Sequence, residues 1–366
     1  VLSYHRKLGV LYRMLYHMSL WLRESWSFVN VVHYISFRAA AALLTALFLM
    51  LVTGNKFIAA TQNTFGCKPR PFLGHNVKER VPTIGGVLTL AVVWATALLW
   101  GNLWSPLLWL FLLVMTLFAS IGFLDDWRKL FGVCDGIMAR SKFFLQISAA
   151  LIVVLLWFWI MHPDTSIWFP FFKHVHPDLG LFFIVWAVFI IVATSNAVNL
   201  TDGLDGLAAN ALTPTVLTFS IICYVAGHSK MAAYLVIPFV PSAELAVMGG
   251  ALAGALFGFL WFNAYPAQMF LGDVGSLSLG AALAFMALAS KQELLLPIAG
   301  FLFVIEVLSV LIQVGSFKLT GKRFFKMAPL HHHYELLGWP EAKITVRFGI
   351  LCLVSCLLAL MMLKLR

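Results

Sequence analysis

Charge is what this 366-residue chain has least of. Asp, Glu, Lys and Arg make up 11% of it, against about a quarter in a water-soluble domain. With 61% hydrophobic residues, that scarcity excludes a chain folded in water and leaves an integral membrane protein. Cysteine is scarce as well. The five present (Cys67, Cys134, Cys223, Cys352 and Cys356) form no CxxC pair, so neither a disulfide scaffold nor a thiolate metal site is implied. GxxxxGK[ST] and GxGxxG are both missing, which removes support for a P-loop ATPase or a nucleotide-dependent redox enzyme. No internal repeat is visible, and this weakens a conventional secondary transporter. The formal charge of +10 does not point to nucleic acid, because the basic residues lie in short loops where topology and anionic headgroups explain them.

Long apolar runs are present in quantity. A spanning helix needs roughly 20 apolar residues, and ten segments qualify: about 36–55, 83–100, 103–124, 143–161, 179–198, 207–227, 243–262, 274–290, 294–316 and 346–363. The fold class is therefore all-α, a single polytopic membrane domain over residues 1–366 with ten transmembrane helices. Residues 1–30 mix Trp21, Trp26 and Phe28 with Arg23 and Glu24, a pattern that suits a helix lying in the interface. The basic start, His5-Arg6-Lys7, leads into a segment without a small-residue cleavage site, so no cleavable leader is expected. Loops at 56–82, 125–142 and 317–347 hold 15 of the 25 Lys and Arg residues. The positive-inside rule then places the odd-numbered connections in the cytoplasm and both termini on the opposite side.

All five of those connections carry polar residues of an unusual kind: Lys78; Asp125 and Asp126; Asn196, Asn199, Asp202 and Asp205; Asn263 and Asp273; and His331, His332 and His333 in a loop at 317–345. Acids at hydrocarbon depth are costly unless hydrated, paired or bound to a cation. Asp125 and Asp126 point about 100° apart on a helix, so one is free to face a metal or substrate while the other braces a lysine. Asn196, Asn199, Asp202 and Asp205 recur every third residue and form one stripe if helical. One capping side chain would serve a helix end; four imply more. Asp273, in a GDxGS segment beside the other aspartates, is a candidate ligand for magnesium, which prefers carboxylate and water oxygens together with substrate phosphates. Three consecutive histidines rarely all ligate one ion, so phosphate or sugar binding is the preferred role for His331–His333. Lys78, Lys129 and Lys142 are within reach of a diphosphate or simply solvated. Glu306, inside the ninth segment, is either functional or bonded to a neighbouring helix.

Four segments carry a family resemblance: Gly-Phe-Leu-Asp-Asp-Trp-Arg-Lys, Asn-Ala-Val-Asn-Leu-Thr-Asp-Gly-Leu-Asp-Gly, Phe-Leu-Gly-Asp-Val-Gly-Ser-Leu and Ala-Pro-Leu-His-His-His-Tyr-Glu. In this order the chain resembles the polyprenyl-phosphate N-acetylhexosamine-1-phosphate transferases, and the histidine segment resembles their phospho-N-acetylmuramoyl-pentapeptide branch. The resemblance implies ten transmembrane helices, a homodimer in the bacterial cytoplasmic (inner) membrane, and a magnesium-dependent site facing the cytoplasm. There phospho-MurNAc-pentapeptide passes from UDP-MurNAc-pentapeptide to undecaprenyl phosphate, giving lipid I and UMP for peptidoglycan synthesis. It further implies that Asp273 binds Mg2+, that Asp125 and Asp126 are the catalytic pair, and that Asp202 and Asp205 belong to the nucleotide and catalytic region. Asn263 and Phe270 match the nucleoside pocket, and His331, His332 and His333 the sugar-peptide end. Asn196, Asn199, Lys78, Lys129 and Lys142 complete the substrate-binding set. One stretch departs: the family usually has Lys-x-Gly-Thr-Pro-Thr-Met-Gly-Gly where this chain runs Lys78-Glu-Arg-Val-Pro-Thr-Ile-Gly-Gly86. The rivals are a sibling transferase using UDP-GlcNAc, an ion-coupled transporter and a structural membrane protein.

Overall fold

A computed structural model describes residues 15–22, 27–67, 81–130, 136–170, 172 and 175–364. Its helices run, in chain order, α1 (Leu15–Leu22), α2 (Ile35–Phe65), α3 (Gly85–Trp100), α4 (Pro106–Leu130), α5 (Ala139–Met161), α6 (Phe182–Thr201), α7 (Leu207–Ala226), α8 (Ser229–Leu235), α9 (Ala243–Asn263), α10 (Gly272–Ala289), α11 (Leu296–Ala299), α12 (Phe301–Thr320), α13 (Leu330–Glu335) and α14 (Glu341–Met362). Two short strands, β1 (Gly66–Cys67) and β2 (Val81–Pro82), pair antiparallel. Among the described residues nine helices are long and apolar enough to cross a bilayer, and α3 is a shorter apolar helix of 16 residues. The all-α polytopic expectation is met. The span expected over 294–316 is divided instead: a 3-10 turn at Glu293–Leu295 and the short α11, with Pro297 in its first turn, precede a restart at Gly300. Pro297 is tolerated in a first turn, where its missing N–H is not needed, and the interruption falls at Gly300, whose φ of −91° and ψ of 31° leave the helical range. Of the expected interfacial stretch, only α1 and the start of a 3-10 turn at Ser27–His33 fall within the described residues.

At the centre stand α9 and α10, buried along almost their whole length, as expected of helices walled in by other helices. Without a hydrophobic gradient between helices in lipid, close packing comes from small residues that let backbones meet. α9 carries Gly250, Gly254 and Gly258 on one face. A β-carbon built at Gly250 would stand 2.3 Å from the carbonyl oxygen of Ala39 on α2, and one at Gly254 only 2.0 Å from that of Leu43. The contacts advance together along both helices, so α2 and α9 run parallel. At their starts, Arg38 and Glu244 form a buried two-pronged ion pair, 2.7 and 2.9 Å, and Glu244 also accepts the backbone N–H of Asn102. Gly254→Ala is expected to destabilise the protein by about 1–3 kcal/mol, since the backbone must move to admit it. A lower thermal unfolding midpoint in detergent would show this; an unchanged midpoint would mean that α2 is not held by the contact.

Candidate active site at the carboxylate cluster

The end of α4, the starts of α5 and α10 and the end of α6 meet at one end of the bundle. Gly122 makes that meeting possible, because a β-carbon there would lie 2.2 Å from the carbonyl oxygen of Asp273. One turn later α4 presents Asp125 and Asp126, both buried, on different faces as their 100° separation requires. Asp125 faces two lysines. Its Oδ2 lies 2.8 Å from Lys129 Nζ and 3.1 Å from Lys142 Nζ, and the same two ammonium groups lie 2.8 and 2.7 Å from Asp273 Oδ2. Two carboxylates and two ammonium groups thus close a four-membered ring of ion pairs spanning α4, α5 and α10. Asp125 Oδ1 also accepts the N–H of Ile137 at 2.6 Å.

Asp126 turns the other way and accepts the backbone N–H of Val274 at 3.2 Å, in the first turn of α10, where a carboxylate is favoured by the helix dipole. The second acid of the pair therefore braces a backbone and not a lysine. Asn199, on α6, donates to Asp273 Oδ1 at 2.6 Å and to Ser276 Oγ at 2.8 Å. Every oxygen of Asp273 is thereby engaged.

Asp202 sits just beyond α6 in the turn to α7. No hydrogen-bond donor among the described residues reaches its carboxylate. Burial, then the negative charges of Asp273, Asp126 and Asp205, push its carboxyl up to about 8. It is the acid of the cluster whose charge is least compensated. An all-oxygen set in which one carboxylate lacks a partner and is repelled by its neighbours fits a hard divalent cation such as Mg2+. No group of three or more His, Cys, Asp or Glu among the described residues stands ready-made around an ion.

The remaining expected residues fall into two sets. Asp205, Asn263 and Phe270 shape the loops beside the cluster. Asp205 Oδ2 accepts the N–H of Ala267 at 2.9 Å, and its own N–H donates to Glu341 Oε1 at 2.5 Å. Asn263 is buried, with its oxygen accepting from Gly206 N at 3.1 Å and its amide donating to Met269 O at 2.7 Å. Phe270 is clamped through its backbone, its N–H to Pro82 O and its carbonyl to Gly85 N. Asn196 is turned away from the aspartates and exchanges hydrogen bonds with Gln146 on α5, 2.7 and 3.4 Å.

The histidines occupy α13. His331 is fully buried and packs on Gly203, where a β-carbon would meet its Nε2 at 2.2 Å. His332 Nδ1 is 2.5 Å from Glu335 Oε2; burial and then the neighbouring His331 lower its pKa against that carboxylate. His333 Nδ1 accepts the N–H of Lys326 at 3.2 Å. Lys78 lies outside the described residues. Gln146, Ser276 and Glu341 were not expected. Gln146 lies four residues after Lys142 and Ser276 three after Asp273, spacings that put each on the face of a residue already singled out.

Known proteins match this chain along most of its length. The model of the glycosyl transferase family 4 matches residues 108–291, the stretch from α4 to just beyond α10. The phospho-N-acetylmuramoyl-pentapeptide-transferase of Nitratidesulfovibrio vulgaris strain DP4 is 50% identical over 361 residues, covering 96% of this chain and 100% of that protein. The proteins of the same description from Oleidesulfovibrio alaskensis and Citrifermentans bemidjiense are 48% and 45% identical, with the same coverage.

Proposed function

This chain belongs to the phospho-N-acetylmuramoyl-pentapeptide-transferase family, and from that premise we infer that the carboxylate cluster is its active site. The reaction is transfer of phospho-MurNAc-pentapeptide from UDP-MurNAc-pentapeptide to undecaprenyl phosphate. An oxygen of the lipid phosphate bonds to the sugar-linked phosphorus, and the bond from that phosphorus to the bridging oxygen breaks. UMP leaves and lipid I remains. The observation that carries the residue assignment is the ring of Asp125, Lys129, Asp273 and Lys142.

A phosphate monoester is largely ionised at neutral pH, with a second pKa near 6, so the acceptor needs positioning and charge neutralisation more than a strong base. Lys129 and Lys142 supply two fixed positive charges for the donor diphosphate. Asp125 holds both lysines in place and is the carboxylate nearest a role in orienting the lipid phosphate. Asn199 fixes the rotamer of Asp273. The family implies Mg2+, and Asp273 with Asp202 would hold it; when bound, it offsets diphosphate charge. Asp205, Asn263 and Phe270 form the nucleoside side through the loops they clamp; His332, His333 and Lys78 complete the binding surface, and Asn196 and the buried His331 serve it indirectly, through the residues they hold in place. With α3 taken as a tenth span, both termini share one side, and the basic loops support a reading in which that side is outside and the cluster is at the cytoplasmic face of the inner membrane. A homodimer completes the reading.

The test is Mg2+-dependent UMP release from UDP-MurNAc-pentapeptide by purified protein, with and without undecaprenyl phosphate. Acceptor-dependent release is expected. Release from UDP-GlcNAc alone would move the chain to the sibling activity. Solute uptake into proteoliposomes without UMP release would favour transport.

A pH dependence follows from Asp202. Burial and the neighbouring carboxylates push its carboxyl up to about 8, far above the ordinary carboxylate value, so below that pH a proton competes with the cation. The Mg2+ concentration for half-maximal rate is expected to rise as pH falls from about 8 to 6, by up to about tenfold per unit. Asp202→Asn should flatten that slope. An equal slope in wild type and variant would remove Asp202 from the metal site.

A further inference from the structure

Glu306 lies inside α12 with no solvent exposure, and nothing in the transfer reaction above uses it. Its carboxylate accepts two backbone N–H groups from the start of α13, Leu330 N at 2.6 Å on Oε2 and His331 N at 3.2 Å on Oε1. The Nδ1 of His331 lies 3.2 Å from the same Oε1. A single acid therefore meets both the backbone and the side chain of the first histidine. Neither ring nitrogen of that imidazole has a hydrogen-bond partner among the described residues, so Nδ1 lies beside the carboxylate in contact and not in a hydrogen bond, and Nε2 packs on Gly203, next to Asp202. Gln313, two turns further along α12, accepts from Phe324 N and Phe325 N at 3.1 and 2.8 Å. Glu306 and Gln313 are seven residues apart, on one face of the helix, and together they hold the segment leading into the histidines against α12.

We propose that Glu306 is a positioning residue for the transferase: its carboxylate seats His331 against the Asp202–Asp205 turn, so that donor binding depends on an acid that never meets substrate. The physical ground is that an unpaired buried carboxylate or amide is costly. Glu306 and the start of α13 satisfy each other, and the resulting seat has one arrangement. Only Gly203 leaves room for the imidazole on the far side. Were the role merely to fill space between helices, the carboxylate would need neither N–H group. The proposal rests on the transferase reading for its kinetic consequence and on geometry alone for its structural one.

The test uses full-length protein and four variants: Glu306→Gln, Glu306→Ala, His331→Ala and the double Glu306→Ala/His331→Ala. Two readouts are taken, kcat and KM for UDP-MurNAc-pentapeptide from UMP release, and hydrogen–deuterium exchange of the peptide over 328–337. Each alanine variant is expected to lower kcat/KM for the donor by about 10–100-fold, as loss of an orienting outer partner typically does. The double variant should lose no more than about twofold beyond either single one, because residues acting as a unit are non-additive. Glu306→Gln, which keeps one acceptor oxygen, should fall between wild type and Glu306→Ala. Exchange at the start of α13 should accelerate in both Glu306 variants. Multiplicative losses in the double variant, or unaltered exchange, would overturn the proposal. If Glu306→Ala does not yield folded protein, wild-type kinetics and exchange in Glu306→Gln would overturn it equally. Absence of UMP release from wild-type protein would count against the transferase reading, and the exchange readout would then decide this proposal by itself.

Discussion

Asp273→Asn is expected to lower the rate of UMP release by at least about 10³-fold, with no recovery at high Mg2+. The substitution conserves shape and changes charge. In the native site Asp273 Oδ1 takes the amide of Asn199 at 2.6 Å, and Oδ2 takes Lys129 and Lys142 at 2.8 and 2.7 Å. An asparagine supplies one acceptor oxygen for these three donors. Its amide must then face either the Asn199 amide or two ammonium groups, and both are like-to-like. Two lysines are left with Asp125 as their single counter-charge, and the proposed metal site loses its principal carboxylate. Loss of one fixed electrostatic group commonly costs about 10²–10³ in kcat, and here the charge balance and the cation site fail together. Size-exclusion behaviour should stay that of wild type, because Asp125 still binds both lysines. A variant retaining a tenth or more of the wild-type rate would remove Asp273 from the chemistry.

Part of this site is legible in the sequence. Apolar runs of about 20 residues specify spanning helices by length alone, and acids in hydrocarbon need a partner or a purpose. Asp125, Asp202 and Asp273, drawn from connections far apart in sequence, could therefore be grouped from the alternation of helices. What they bond to could not. Asn196 pairs with Gln146 across 50 residues and Asp205 with Glu341 across 136, and such choices are set by how helices pack, not by spacing along either one. The same limit explains Asp126, whose acceptor role depends on α10 beginning beside it. Of the two readings held open for Glu306, the bond to a neighbouring helix, α13, is present, and that bond is the means by which a functional role would be exerted. The break at Gly300 was hidden because the apolar run continues through it, and hydropathy does not register a change of backbone conformation.

Lys142 and Lys129 make nearly the same contacts, yet their removal is expected to differ in cost. Both reach Asp125 Oδ2 and Asp273 Oδ2 within 3.1 Å. Their surroundings separate them: the side chain of Lys142 is 16% exposed and that of Lys129 46%. A charge reachable by water is screened, and its pairing is worth little. A charge held away from water keeps its field, and its loss leaves buried partners uncompensated. Lys142→Met is therefore expected to reduce kcat by about 10²–10³-fold, in the range for a fixed group facing developing charge. Lys129→Met should cost about tenfold, most of it recovered at low ionic strength, where the remaining lysine is less screened. Steady-state UMP release by the two variants, measured in parallel at two salt concentrations, checks the contrast. Equal losses would mean that the diphosphate is held by the pair as a symmetric clamp. A larger loss for Lys129 would mean that the exposed side of the ring is where donor phosphate binds, which would move the reacting phosphorus toward solvent and away from α5.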